Sequence, residues 1–261
     1  MSAPSPWSFT FEPFFLVVAA LALYLYVRHA RTAGTGRRVL FGLGIACIAI
    51  PVNSPLETIA THYLLMAHLA QNAISADIAP PLLILGLPPE ARAALQRRGG
   101  RAFAAITQPA IAGIVWLVTW YGVHLSVVYD FLLRHQILLN LEHSVLISAG
   151  LLFWWPVLSG LAGSLEAPGG LLYLFLAFAT SAFLGLALTF LPSFYSYYQH
   201  TPRLWGLSPD ADQNIGGTLM AGEQSAVFVA GMCWVFFRLL EGEEGDDDEA
   251  IGPIPDEQTQ V

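Results

Sequence analysis

Seven histidines are spread unevenly along this chain, and they are the residues best suited to chemistry in it. His62, His68, His124 and His143 sit inside long apolar runs, toward what reads as one common end of those runs. His135 and His200 occupy the polar segments beyond that end, and only His29 belongs to the other. Neutral imidazole suits copper, zinc or iron, and thioethers such as Met66 and Met220 add a preference for copper(I). His68, His124 and His143 come from three different apolar runs, which is how a helix bundle builds a buried metal site. Met66 and Glu223 are the candidate assisting ligands. The competing reading of each histidine is a helix cap or a hydrogen bond across the bundle.

Ionisable groups inside a membrane are costly and face a cavity or a partner, so Asp77, Glu142 and Glu223 raise the same question. A step of about 100° per residue puts His68, Asn72 and Ser75 on one helix face and His62, Met66 and Asp77 on another. Both faces cannot serve one site. For Asp77 an interhelical hydrogen bond or snorkelling is the plainer role. Glu223, roughly two turns into the last run at ~1.5 Å per residue, reaches the depth of His68 and His143. Trp116, Trp120, Trp154 and Trp155 read as interface anchors and core packing rather than a cofactor box. No nucleotide loop, nucleophile elbow or HExxH helix occurs. The expectation is therefore a protein that is not an enzyme, with neither catalytic nor organic-cofactor residues.

The elements carrying these residues follow from composition. With 55% hydrophobic residues, 11% charged and a mean hydropathy of +0.58, the 261 residues hold more apolar surface than a soluble domain of this size can bury, so lipid is the expected surrounding. Runs long enough to span a bilayer lie near 11–28, 39–55, 58–86, 109–129, 138–161, 170–191 and 215–239. This predicts an all-α polytopic transmembrane bundle of about seven spans over residues 11–240, with Pro80-Pro81 kinking or ending the third run. Residues 1–10 form a short outer segment. Residues 241–261 form an acidic, disordered cytoplasmic tail, which holds nine of the 19 carboxylates. The net charge of −8 thus belongs to the tail and not to the body.

All 11 basic residues are arginines. With seven spans, Arg28, Arg31, Arg37, Arg38, Arg92, Arg97, Arg98, Arg101 and Arg238 share one side, and Arg134 and Arg203 the other. The positive-inside rule then places the first group in the cytoplasm and the N-terminus outside. The first run has no basic residue before it, so it reads as a retained anchor and not as a signal peptide. A multi-pass membrane protein in contact with lipid, and with no nucleic-acid partner, is the result.

Three ordered blocks carry a resemblance: SPLETIATHYLLMAHLAQNAISADIAPPLLILGLPP (Ser54 to Pro89), LEHSVLISAGLLFWWPVL (Leu141 to Leu158) and GLSPDADQNIGGTLMAG (Gly206 to Gly222). Together they resemble the CtaG family of haem-copper oxidase assembly factors. The resemblance implies a seven-helix protein that assists maturation of cytochrome c oxidase, with oxidase subunits as partners and copper as the metal it helps deliver. The family's histidines match His68, His124 and His143. Asn72 stands where the family usually has histidine after glutamine, Leu139 where a histidine often precedes the EH pair, and Ala221-Gly222-Glu223 where a Trp-containing segment is usual. Those departures favour an alternative, a metal-free accessory or structural subunit of a membrane complex. A haem-binding or proton-coupled transport protein is a third reading.

Overall fold

The structure, a computed structural model, describes residues 3–250, with side chains described as far as residue 240. Helix makes up 79% of it and no strand occurs among the described residues, so the all-α expectation holds. In chain order the elements are α1 (Pro13–His29), α2 (Thr35–Val52), α3 (Pro55–His62), α4 (Leu65–Asn72), a π-helical segment (Ala73–Ile78), α5 (Ala79–Gly86), α6 (Pro89–Ile106), α7 (Pro109–His124), α8 (Ser126–Leu132), α9 (Gln136–Leu158), α10 (Ala167–Phe190), α11 (Ser196–Gln199) and α12 (Pro209–Ala250). Pro13, Pro55, Pro89 and Pro109 each open a helix, where the missing amide has no partner to lose.

Four helices are long and apolar enough to cross a membrane: α2, α9, α10 and the Pro209–Leu240 part of α12. A fifth is added if α6 and α7, bent by 71° at their junction, count as one span. Large apolar side chains such as Val17, Phe183 and Phe190 face outward, which suits lipid and not water. The chain is thus a multi-pass α-helical membrane protein. The continuous helix α12 runs into the segment expected as an acidic tail, and the rest of that expected tail lies outside the described residues.

The third apolar run differs most from its expectation. It is broken at Tyr63-Leu64, where Leu64 is extended (φ −133°, ψ 129°), and not at the prolines. The amides of Leu65 and Met66, which open α4, donate to the buried Asp212 carboxylate at 2.9 Å each. Helix N-termini have orphan amides, and a carboxylate there satisfies both the donors and the helix dipole. At Pro80-Pro81 the chain stays helical because residues 73–78 widen into the π-helix. Pro80 cannot donate to the Ala76 carbonyl, and that freed oxygen lies against α9 at Gly150. A β-carbon at Gly150 would stand 2.4 Å from the Ala76 oxygen and 2.8 Å from the Pro80 ring, so only glycine admits this approach.

The start of α12 ties down the breaks around it. Asp210 accepts from the Ser193 amide, Gln213 accepts from the Phe194 amide and donates to Leu191, and Asn214 donates to the Thr189 carbonyl. Arg203 donates to Asp212 at 3.0 Å. At the opposite end of the bundle Arg92 donates to the Leu158 and Ser159 carbonyls, and Arg37 to those of Leu85 and Leu87. Cations at helix C-termini complete the last carbonyls. Trp116, Trp120, Trp154 and Trp155 are all buried, which makes them core residues and not interface anchors.

Candidate functional site

α4, α7, α8 and α9 bring a set of buried polar side chains together, walled by Leu65, Leu69, Trp120, Tyr129, Leu139, Tyr195, Tyr198 and Met220. His68, Asn72, His124, Tyr129, Glu142 and His143 are each at most 3% exposed. The His68 and His143 rings lie 5.5 Å apart between centroids. His68 Nε2 faces Glu142 Oε1 at 3.6 Å, and Asn72 donates to the same oxygen at 3.1 Å.

The hydrogen bonds assign the tautomer of His68. Tyr198 has one hydroxyl proton, and it goes to the Ala60 carbonyl at 2.6 Å. The 3.2 Å contact between that hydroxyl and His68 Nδ1 is then made by Nδ1–H. Nε2 is left with a lone pair, aimed at a carboxylate oxygen, and two acceptors face one another across 3.6 Å. A positive species between them, a proton or a metal ion, removes the repulsion. His124 is set in the same way: its Nδ1 sits 2.7 Å from the Trp120 carbonyl, which can only accept, so Nε2 carries the free lone pair. Ligating histidines commonly hold their second nitrogen by such a bond. Both nitrogens of His143 lack a partner. The Leu139 carbonyl lies near its ring but outside good hydrogen-bond geometry.

Among the described residues His68 Nε2, His124 Nε2, both nitrogens of His143, Glu142 Oε2, Asn72 Oδ1, Tyr129 Oη and Trp120 Nε1 have no hydrogen-bond partner. Each such group costs free energy in an apolar interior. Their gathering in one place makes this the candidate site. The donor set fits a metal that takes imidazole and carboxylate. Among the described residues, however, no three His, Cys, Asp or Glu stand in ligating geometry, so the rings must turn for a metal to be held.

The expected ligands therefore divide. His68 and His143 adjoin, with Glu142 between their helices. His124 lies beyond the Tyr129 ring, which is 4.9 Å from His68 and 5.8 Å from His124 between centroids. Met66 packs with Ile59, Ala60, Tyr63 and Leu64 and is not with the histidines, whereas Met220 is fully buried in the wall of the site. Glu223 also stands elsewhere. Its carboxyl group is next to that of Asp77, near Gln224, and both of its oxygens are buried without a hydrogen-bond partner. The π-helix turns Asp77 away from the face a uniform 100° step assigns it, toward α12. Sequence reasoning missed Tyr198, Tyr129 and Trp120, and the tyrosine-rich FYSYY segment was the available signal.

The family model described as Cytochrome c oxidase caa3 assembly factor (Caa3_CtaG) matches residues 20–241. The chain belongs to this family. The match takes in α2 to α10 and every residue of the buried cluster. No curated protein and no solved structure matches the chain.

Proposed function

We propose that this protein is a non-catalytic plasma-membrane factor for cytochrome c oxidase assembly that holds copper in transit, as cargo, at His68, His143 and Glu142. The observation that carries the reading is His68 Nε2 facing the Glu142 carboxylate at 3.6 Å, with the His143 ring 5.5 Å from that of His68, deep in an apolar bundle. His124 and Met220 stand next to that group as further donors along the cargo's way. A set of ligands that must turn to close on the ion suits transient holding, because a closed site releases its metal slowly. Oxidase subunits are the recipients. The bundle crosses the membrane seven times, by α1, α2, the broken run α3 to α5, α7, α9, α10 and α12. The N-terminus is outside, and Arg37 and Arg92 cap helix ends on the cytoplasmic side.

A second reading, a metal-free accessory subunit, has one observation in its favour. Asn72 stands where the family usually has histidine and donates to Glu142, so it occupies one lone pair of the carboxylate. Copper content of the purified protein separates the two. On the copper reading, wild type retains copper, His143→Ala loses it at unchanged membrane abundance, and Asn72→His binds it more tightly. Copper at background level in wild type, with oxidase maturation still dependent on the protein, establishes the accessory reading instead.

A further inference from the structure

A cleft enclosing about 760 Å³ runs between α1, α2, α5, α6 and α9. Phe15, Ile45, Leu83, Phe103, Leu151 and Trp155 give its apolar character. Of its polar lining residues, Ser144 and Ser148 donate their hydroxyl protons one turn back, to the carbonyls of Asn140 and Ser144 at 2.7 Å each. The remaining charge is the Arg98 guanidinium at one end. Arg97, Arg98 and Arg101 are all exposed on α6, and among the described residues none of them forms an ion pair. The acid of α6, Glu90, is near the far end of that helix and accepts from Thr32.

The dimensions suit one class of molecule. From Ser144 to Trp155 along α9, at ~1.5 Å per residue, the cleft is about 17 Å deep. One leaflet of a hydrocarbon core about 30 Å thick is of the same depth. We propose that this cleft binds an anionic phospholipid, with its phosphate against Arg98 and an acyl chain lying along α9 as far as Phe15. Charge at one end and an apolar wall along the rest is the amphipathic pattern of a lipid, and basic clusters between helices at the membrane surface select anionic headgroups. A transmembrane helix of a partner fills the apolar part but brings no anion to Arg98, the charged residue of the lining. The chain's own acidic segment after residue 240 brings charge but no acyl chain. The upper end of the cleft has a neighbour of interest, since Phe15 meets the His143 ring edge-on at 6.1 Å and 83°. The lipid would reach the ring that covers the histidines, although its binding does not depend on copper.

The test uses the full chain in mild detergent, offered phosphatidylglycerol and phosphatidylcholine of matched chains and read by native mass spectrometry. Phosphatidylglycerol should be retained in preference. Arg98→Gln should cut that preference about fivefold, the attraction expected of one arginine at a membrane surface. Ser148→Trp, which fills the cleft, should release both lipids, and Ser148→Leu does the same in a milder form if the tryptophan prevents folding. Equal retention of the two lipids, or no effect of Arg98→Gln, overturns the proposal. So does a large rise in phosphatidylglycerol binding on truncation before Gly242, because the arginines would then be covered by the tail. Copper retention is unchanged by Arg98→Gln on this reasoning, which keeps its failure separate from that of the copper site.

Discussion

Replacing Asp212 by alanine should be among the most damaging single changes in the protein, although Asp212 touches neither histidine nor lipid. Its carboxylate accepts from the Leu65 and Met66 amides at 2.9 Å each and from Arg203 at 3.0 Å. Leaving a buried donor without a partner costs about 1–3 kcal/mol, so the two amides together cost roughly 2–6 kcal/mol. Arg203 adds little, because it still donates to the Tyr198, Leu207 and Ser208 carbonyls. Asp212→Asn keeps one of the two acceptors, because Leu65 and Met66 donate to different oxygens; it leaves one amide unpaired, at about 1–3 kcal/mol, and loses the charge, worth about 0.3–1 kcal/mol against the helix dipole. The order of stability should be wild type, then Asn, then Ala. Thermal unfolding in mild detergent measures it, and at about 2–4 °C per kcal/mol the alanine variant should melt roughly 10 °C below wild type. An Asp212→Ala protein that melts with wild type would refute the capping argument, because the amides would then have another partner. Alanine and asparagine variants that melt together would show that the charge, and not the acceptor, is what α4 needs.

Three further expectations follow from the packing and the topology. Gly150→Ala should lower stability by at least the ~1–3 kcal/mol of an overpacked core, read as reduced membrane abundance; normal abundance means that the Ala76 carbonyl can withdraw from α9. The Asp77→Asn, Glu223→Gln double variant keeps the shape of the carboxyl pair without its charge and should melt near wild type, whereas Asp77→Ala should melt lower by the ~1–3 kcal/mol of a buried polar group left alone; equal melting of all three shows that the pair contributes nothing. Cysteines placed at Ser5 and Gln258 should label from opposite sides of the membrane, and labelling of both from one side rules out an odd number of spans.

The long apolar runs were legible because lipid imposes a length of about 20 residues on any helix that crosses it. α9 and α10 accordingly start and end within a few residues of their expected limits. The break at Tyr63-Leu64 was not legible. Both residues are apolar, and the group that stabilises the new helix end lies 147 residues further on. At the candidate site, residue type alone singled out His68 and His143, whose rings the fold brings within 5.5 Å of each other, since few side chains other than histidine bring neutral nitrogen donors into a bundle. Met66 packs away from the histidines, as its separate place on the helical wheel already implied, and Glu223 was placed by its depth along α12, which says nothing about the neighbour it faces. Tyr198 was missed because its role depends on α11, a four-residue helix outside any span.

That π-helix also acts as a phase shifter within a single run. Residues before it present His68 and Asn72 to Glu142, and residues after the turn begins present Asp77 to Glu223. A straight α-helix of the same sequence would bring only one of these two meetings into register. The extra residue in the turn is therefore a piece of information with no side chain of its own. A lineage that deleted one residue between Ala73 and Ile78 would keep the hydropathy, the prolines and all three histidines. It would still uncouple the histidine cluster from the carboxyl pair, and a comparison that scores residue identities alone would not register the loss.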